Sequence, residues 1–556
     1  APPSIWKLTD TDGDGTADLR AEWHEGKTLT GCANDLHGPY LGPDGWIYWC
    51  KGAFATQTYE RPGRQPIHTR ASHIFRAPPD HSDLEPVLTA GMDNPVGVVF
   101  SPEGERFMCG TFLVNPEAGK RDGVVHAIYG GVYGKDHDVL DDHKKTGELM
   151  PVMMHLGAAA PCSVISYQSA TYGQEYQNNL FVCSFNMHKI FRLVLQPDGA
   201  TYKPTASDFL TSNSTDFHPT DVIEDADGSL IVIDTGGWYK LCCPTSQLSK
   251  PDVLGAIYRI RRKGARSIAD PRGLEVAWTN LGPAQLTKLL GDSRPAVRRR
   301  AIQTLGMLGS GSVPALAESV QADKSTEGRR NAVWALTRIS GPAARDAVRS
   351  ALNDSDESVR HAAAHSVSLW RDASAVGTLV GFLQHGSAAL QRVAAEALGR
   401  IGDKSAVPAL LAAAAQPCHR VLEHSLIYAL IEINDRPFIV SALTGLNARA
   451  ERAALVALDQ MDATDPAELM PLVRPLLSST DPLLRDTAVW IAGHHPQWGS
   501  DLASLFQSEL TALAAHGSTM ENRAELKRQL VRFSASEPVQ QVIGSTILNS
   551  SEPVLA

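Results

Sequence analysis

From about residue 283 the chain repeats itself, and that repetition restricts the fold more than any other feature. Val297, Arg298 and Ala301 are echoed by Arg329 and Ala332, by Val359, Arg360 and Ala363, by Gln391 and Ala394, and by Leu422 and Ser425. The copies stand about 31 positions apart, the spacing of stacked helix pairs. One pair cannot bury its apolar face alone, so neighbours must stack into an all-α solenoid. Turns rich in Asp, Ser, Gly and Pro precede the helices, as in Gly291-Asp292-Ser293-Arg294-Pro295 and Leu352-Asn353-Asp354-Ser355-Asp356. Asp292 and Asp354 are expected at the helix entrances, where a carboxylate accepts from backbone N–H groups. Weaker copies around Glu451, Arg452 and Ala454 and around Leu484, Arg485 and Ala488 carry the array to residue 500. Residues 501–556 read as an irregular helical cap.

The Asp-x-x-x-x-Val-Arg-x-x-Ala pattern resembles HEAT repeats over residues 283–500. Its arginine reads either as a basic binding stripe or as a structural group that bonds a turn Asp of its own or the next repeat, and the structural reading is preferred. His494 and His495 stand before Pro496 in a loop; adjacent side chains diverge, so they are expected to be surface residues.

Residues 1–263 change character to short β-rich segments with Pro-Asp-Gly turns, the pattern of hairpins repeated at blade length. Four inner hairpins align on their turns, at 34–50, 93–109, 161–183 and 217–233, and outer-strand copies begin near Ser4, His73, Val125, Lys189 and Ala256. The expected architecture is therefore multidomain: an all-β propeller at 1–263, a linker at 264–282, then the HEAT-like solenoid and its cap. Five outer copies against four inner ones place the start of the chain inside a blade, so a longer natural protein is expected.

In a propeller the innermost strands begin, and the second strands end, on one face around a central channel. By turn alignment Asp35, Asn94 and His218 share one register there, and His37, Val96 and Thr220 the register two later. The loops after the second strands bring Lys51, Asn186, His188, Asp234, Trp238, Tyr239 and Lys240 to the same mouth, and insertions at 51–72 and 133–160 roof it. A polar, partly covered mouth of this kind is the expected binding site, with His37 or His218 as base, Asp35 or Asp221 orienting it, and Asn34 and the loop residues holding substrate.

Cys50, Cys109 and Cys183 share a register with Ile233, which favours packing over metal binding. His126 lies on an outer strand and reads as structural; His137 and His143 read equally as cation ligands or as parts of a solvated lid. Cys242-Cys243 is either a vicinal disulfide or two reduced packing cysteines. Asp10, Asp12, Asp14, Thr16 and Asp18 alternate around Gly15 as calcium ligands do, but Ala21 stands where an EF-hand has its glutamate, so the loop reads either as a calcium site or as a hairpin turn.

A formal charge of −10 on 556 residues argues against nucleic acid as partner. No apolar run approaches the roughly 20 residues of a membrane span. The eight cysteines form no C-x-x-C and no C-x-x-C-H, which excludes covalent heme within these residues.

Asp10 to Asp18, Asp35 to Tyr48, His126 to Lys135, His218-Pro219-Thr220-Asp221 and Asp234 to Cys243, followed by the helical units, resemble the PVC-type heme-binding proteins grouped with membrane-bound dehydrogenases. That resemblance covers nearly the whole chain. It implies a periplasmic or otherwise extracytoplasmic protein with a signal peptide, further propeller residues and a cytochrome c domain, none of which stands in these residues. More distantly the first half is similar to soluble quinoprotein glucose and sorbosone dehydrogenases, which implies pyrroloquinoline quinone. Their catalytic His, placed by spacing to Gly42, falls on Asn34, so His37 would have to substitute for it. Three functions stay open: oxidation of a sugar or alcohol with electrons passed to a heme domain, glycan or protein binding on a propeller and HEAT scaffold, and metal-dependent hydrolysis or elimination under the histidine-rich roof.

Overall fold

Short alternating segments of the first half form strands, and the periodic second half forms helices, in a computed structural model that describes residues 3–26, 36–114, 119–237, 250–462, 465–516, 533–549 and some positions between 523 and 531. β1 (Ile5–Thr9) and β2 (Leu19–His24) make a hairpin. β3 (Leu36–Leu41), β4 (Ile47–Lys51), β7 (Ser72–Ala77) and β8 (Glu85–Ala90) form an antiparallel meander, and the insertion within it folds into its own hairpin of β5 (Gln57–Tyr59) and β6 (Ile67–Thr69). The second meander is β9 (Asn94–Phe100), β10 (Arg106–Thr111), β11 (Asp122–His126) and β13 (Met154–Gly157); β12 (Gly131–Tyr133) leaves it to pair in parallel with β8. β14 (Pro161–Ser166), β15 (Leu180–Ser184), β16 (Lys189–Asp198) and β17 (Thr201–Thr211) form the third, and β18 (Pro219–Glu224), β19 (Leu230–Asp234) and β20 (Ala256–Ile260) the fourth.

The first strands of these four sheets lie side by side in the order β3, β9, β14, β18. Apolar residues from neighbouring sheets fill the space between them, among them Val96, Cys109, Val164 and Val182. Each first strand carries a bulge against its second strand: at Gly38-Pro39 in β3, Gly97 in β9, Cys162 in β14 and Thr220 in β18. A bulge inserts one residue and so reverses which side chains face inward beyond it. In consequence Cys50, Cys109, Cys183 and Ile233 face His37, Val96, Ser163 and Asp221. The position expected for Thr220 is therefore held by Asp221. The three cysteines are buried thiols, as the packing reading requires.

The helices start with α1 (Pro283–Leu286), α2 (Pro295–Leu308), α3 (Val313–Ala322), α4 (Thr326–Thr337), α5 (Pro342–Ala351), α6 (Glu357–Trp370), α7 (Val376–His385) and α8 (Ala388–Ile401). Asp292 and Asp354 stand two residues before the helix caps, each accepting from the N–H two residues on, and Asp356 and Ser325 are caps themselves. The repeated arginines bond turns: Arg298 donates to Asp292 O and Arg360 to Asp354 O, and Arg329 pairs with Asp354 of the next repeat at 2.7 Å.

One compact unit comprises Ala1–Asp403 with His419–Ser425. Buried ion pairs join its strands to its helices. Glu85 lies between Arg76 and Arg400, Glu105 meets Arg392 and His126, and Arg106 pairs with Glu396 at 3.0 Å. Burial alone would raise the Glu85 carboxyl, but Arg400 and Arg76 outweigh it and hold it far below the usual range. The hairpin turns add hydrogen bonds: His365 Nε2 meets the Asp44 carboxylate at 3.0 Å, and Trp334 donates to Pro102 O at 2.9 Å. His126 is thus structural, as expected.

The second unit, Lys404–Cys418 with Leu426–Ala556, continues through α9 (Val407–Ala414), the later part of α10 (Arg420–Ile433), α11 (Arg436–Ala442), α12 (Ala448–Gln460), α13 (Pro466–Val473), α14 (Pro482–Ala492), α15 (Gly499–His516) and a helix at Glu537–Asn549. Here His494 and His495 do not diverge. Both reach the buried Asp459, at 3.0 and 2.6 Å, because the chain turns out of α14 between them and brings the two rings to opposite oxygens.

Candidate functional site

At the mouth where the first strands begin, the structure gathers part of the expected set. His218 precedes β18, and its backbone N–H donates to Asp234 Oδ1 at the end of β19. His188 follows β15 and stands beside it, with ring centroids 5.3 Å apart, while Phe185 packs on His218 at 4.5 Å. His218 Nδ1 lies 2.8 Å from Gly236 O and 3.1 Å from Asp216 O, and His188 Nδ1 lies 2.8 Å from Phe217 O. Carbonyls can only accept, so each ring carries a proton on Nδ1.

The remaining expected residues are placed differently. Asp221 does not orient His218; its Oδ1 accepts from Ser163 Oγ at 2.6 Å and from Val222 N at 2.9 Å. His37 and Lys51 sit at the β3–β4 start, Lys51 buried opposite Leu36 and His73. Asn94 begins β9 opposite Thr111, and Asn186 donates to Ala158 O from the surface. Asn34, Asp35, Trp238, Tyr239, Lys240, Cys242 and Cys243 lie outside the described residues. The two roof histidines separate: His137 accepts from Val139 N to start a helical turn, and His143 bonds Thr69 near His73.

Asp10, Asp12 and Asp18 bring one oxygen each within 4.8 Å of one another, the sole such acidic, His or Cys group among the described residues. Gly13 and Gly15, at φ +82° and +89°, let the loop fold so that both donate to Asp10, which lowers its carboxyl. Asp14 is outside this group and accepts from Thr16 N.

A cavity of about 760 Å³ opens at the opposite end of the same four strands, within the size range of small-molecule sites. Its strand wall includes Tyr40, Ser163, Ser166, Gln168, Asp221 and Glu224, and its helix wall Arg298, Arg299 and Gln303 of α2 with Glu327, Arg330, Trp334 and Arg338 on or beside α4. The bulges at Cys162 and Thr220 turn Ser163 and Asp221 into it. Burial raises the Glu224 carboxyl, although Gln168 N and Ser169 N each donate to it at 2.7 Å. Burial likewise lowers Arg298, Arg330 and Arg338. Sequence reasoning reached Asp221 but missed this cavity, because its other wall comes from helices remote in the chain. The signal was the doubling of arginines beside the repeated position, in Arg298-Arg299 and Arg329-Arg330.

Residues 1–264 match the family described as a domain of unknown function (DUF7133). Residues 283–368 and 349–431 match HEAT repeats, so the helical part contains them. No curated protein matches the chain. Among solved structures it is similar to an oxidoreductase described as a glucose dehydrogenase from Thermus thermophilus, at 17% identity over 40% of this chain and 62% of that one, less than two thirds of its length, with a TM-score of 0.27. It is also similar to the CpcE–CpcF phycocyanin lyase of Nostoc, at 18% identity over 46% of this chain and 94% of that one, TM-score 0.25. Yeast importin-β (Kap95p) matches at 13% identity over 52% and 45%, TM-score 0.28. At these scores the likenesses have no bearing on function. Among the described residues no helix is long and apolar enough to cross a membrane.

Proposed function

We propose that the chain is a binding module, a propeller-like set of sheets seated on HEAT repeats, which takes a small hydroxyl-bearing molecule such as a sugar in the cavity between its first strands and α2 and α4. The cavity carries this reading: its size suits such a ligand, and Ser163, Ser166, Gln168 and Asp221 offer donors and acceptors on one wall. Leu41 and Ile223, 63% and 44% exposed on β3 and β18, leave a side by which a ligand enters. Calorimetric titration of the full chain with a panel of neutral and acidic sugars tests it. Binding that weakens in Asp221→Asn supports the reading, and no binding across the panel rejects it. HEAT repeats suit a protein partner as well, and an extracytoplasmic location goes with the proposal; fractionation of producing cells reads the latter.

A second reading, oxidation of a sugar or alcohol at the opposite mouth, is favoured by the rings of His218 and His188, 5.3 Å apart there. His218 would take the hydroxyl proton while the carbon gives up hydride, leaving a carbonyl. The hydride needs an acceptor such as pyrroloquinoline quinone, with electrons going on to a heme domain outside this chain; the described residues identify no cradle for the quinone. Dye reduction with added quinone, lost in His218→Gln, separates the two readings.

A further inference from the structure

The two walls of the cavity carry opposite charge. Arg298, Arg299, Arg330 and Arg338 stand on the helix side against a single carboxylate, Glu327, while the strand side has Asp221 and Glu224 and no cation. Arg298 and Glu327 pair with each other at 3.1 Å, which removes both from the balance. Glu224 accepts from the backbone N–H groups of Gln168 and Ser169 and forms no ion pair among the described residues, although the charges of Arg299 and Arg298 across the cavity act on it. Among the described residues Arg299 has no hydrogen-bond or ion-pair partner, Arg330 Nε is buried without one, and Asp221 Oδ2 has none although Oδ1 has two. Four guanidinium groups against three carboxylates leave the lining itself one positive charge in excess; Asp356 and Asp44 behind it act on Arg330 and Arg338, so the fork of Arg299 is the part of this wall most open to an anion.

Resting on the reading above that this cavity is a ligand site, we propose that its ligand is a hydroxylated carboxylate of the sugar-acid class, with the carboxylate on the helix wall at Arg299 and Arg330 and the hydroxyls on the strand wall at Ser163 and Asp221. A planar carboxylate matches the fork of a guanidinium, whereas hydroxyls match carboxylate and hydroxyl acceptors. A neutral sugar would leave Arg299 unmatched, and a bare oxyanion would leave Asp221 Oδ2 without a donor.

Titration of the full chain with D-glucuronate, D-glucose and inorganic phosphate in parallel tests this. Glucuronate is expected to bind about tenfold or more tightly than glucose or phosphate. Arg299→Gln should erase the advantage of glucuronate over glucose, and Arg299→Lys should restore part of it. Asp221→Asn should weaken both sugars. Equal affinity for glucose and glucuronate would overturn the acid preference and leave the binding reading intact. Phosphate binding as tightly as glucuronate would also overturn it, by showing an oxyanion site indifferent to hydroxyls. No binding by any of the three would remove both the inference and the reading beneath it.

Discussion

Arg400 grips Glu85 through both terminal nitrogens, at 2.9 and 3.0 Å, across 315 positions of sequence. Glu85 is also held by Arg76 at 3.0 Å, and all three side chains are buried. Removing Arg400 takes away the bidentate partner and leaves Glu85 to Arg76 and Arg371, so Arg400→Met should destabilise the first unit by about 1.5–3 kcal/mol. The double change Arg400→Met with Glu85→Leu should cost less than the two single changes added together, because it removes a charge of each sign. Urea unfolding followed by circular dichroism measures both.

Acid should open the same unit. Burial holds His424 neutral, with a pKa lowered to about 3, between Thr146 Oγ1 and Tyr129 O. Arg106 outweighs burial at Glu396 and keeps its carboxyl at about 2. Both folded pKa values lie below the unfolded ones, so the folded state binds fewer protons than the unfolded state. The stability from His424 is full above about 6.5 and falls as the pH drops toward 3; that from Glu396 is full above about 4.5 and falls toward 2. The urea midpoint should therefore decline below pH 6.5 and steepen below 4.5, with the upper part of the decline reduced in His424→Gln.

Gly104 turns the β9–β10 hairpin at φ +101°, and a Cβ there would stand 2.9 Å from the Trp334 ring. Gly104→Ala combines strained backbone with overpacking and should cost about 1–3 kcal/mol. Trp334 also lines the cavity, so ligand affinity should fall along with the unfolding midpoint.

The oxygens of Asp10, Asp12 and Asp18 are close enough to share one cation. Calcium is expected to raise the melting temperature by about 2–4 °C, and Asp10→Asn with Asp18→Asn to abolish the rise. Calorimetry with calcium and magnesium in turn reads the selectivity.

The helical repeat was legible because stacking demands the same small and apolar residues at every turn of the array. Ala301, Ala332, Ala363 and Ala394 are all fully buried. The strand meanders were legible from turn residues such as Asp44-Gly45 and Asp227-Gly228. What the pattern could not show is the bulge at Thr220, which moves Asp221 by one register and turns its carboxylate away from His218 and toward Ser163. Nor could it show the arginine wall. A pairing such as Arg106 with Glu396 depends on where the chain returns after 290 residues, and nothing local distinguishes those side chains from solvated ones.

The buried pairs between strands and helices also bear on where the polypeptide tolerates a cut. Severing it after residue 263, at the visible change from β-rich to helical sequence, would leave Asp44, Glu85 and Glu105 facing water without His365, Arg400 and Arg392. The natural-looking seam is the wrong place for scissors: a fragment made there would expose a band of acidic pockets shaped for a histidine and two arginines it no longer has.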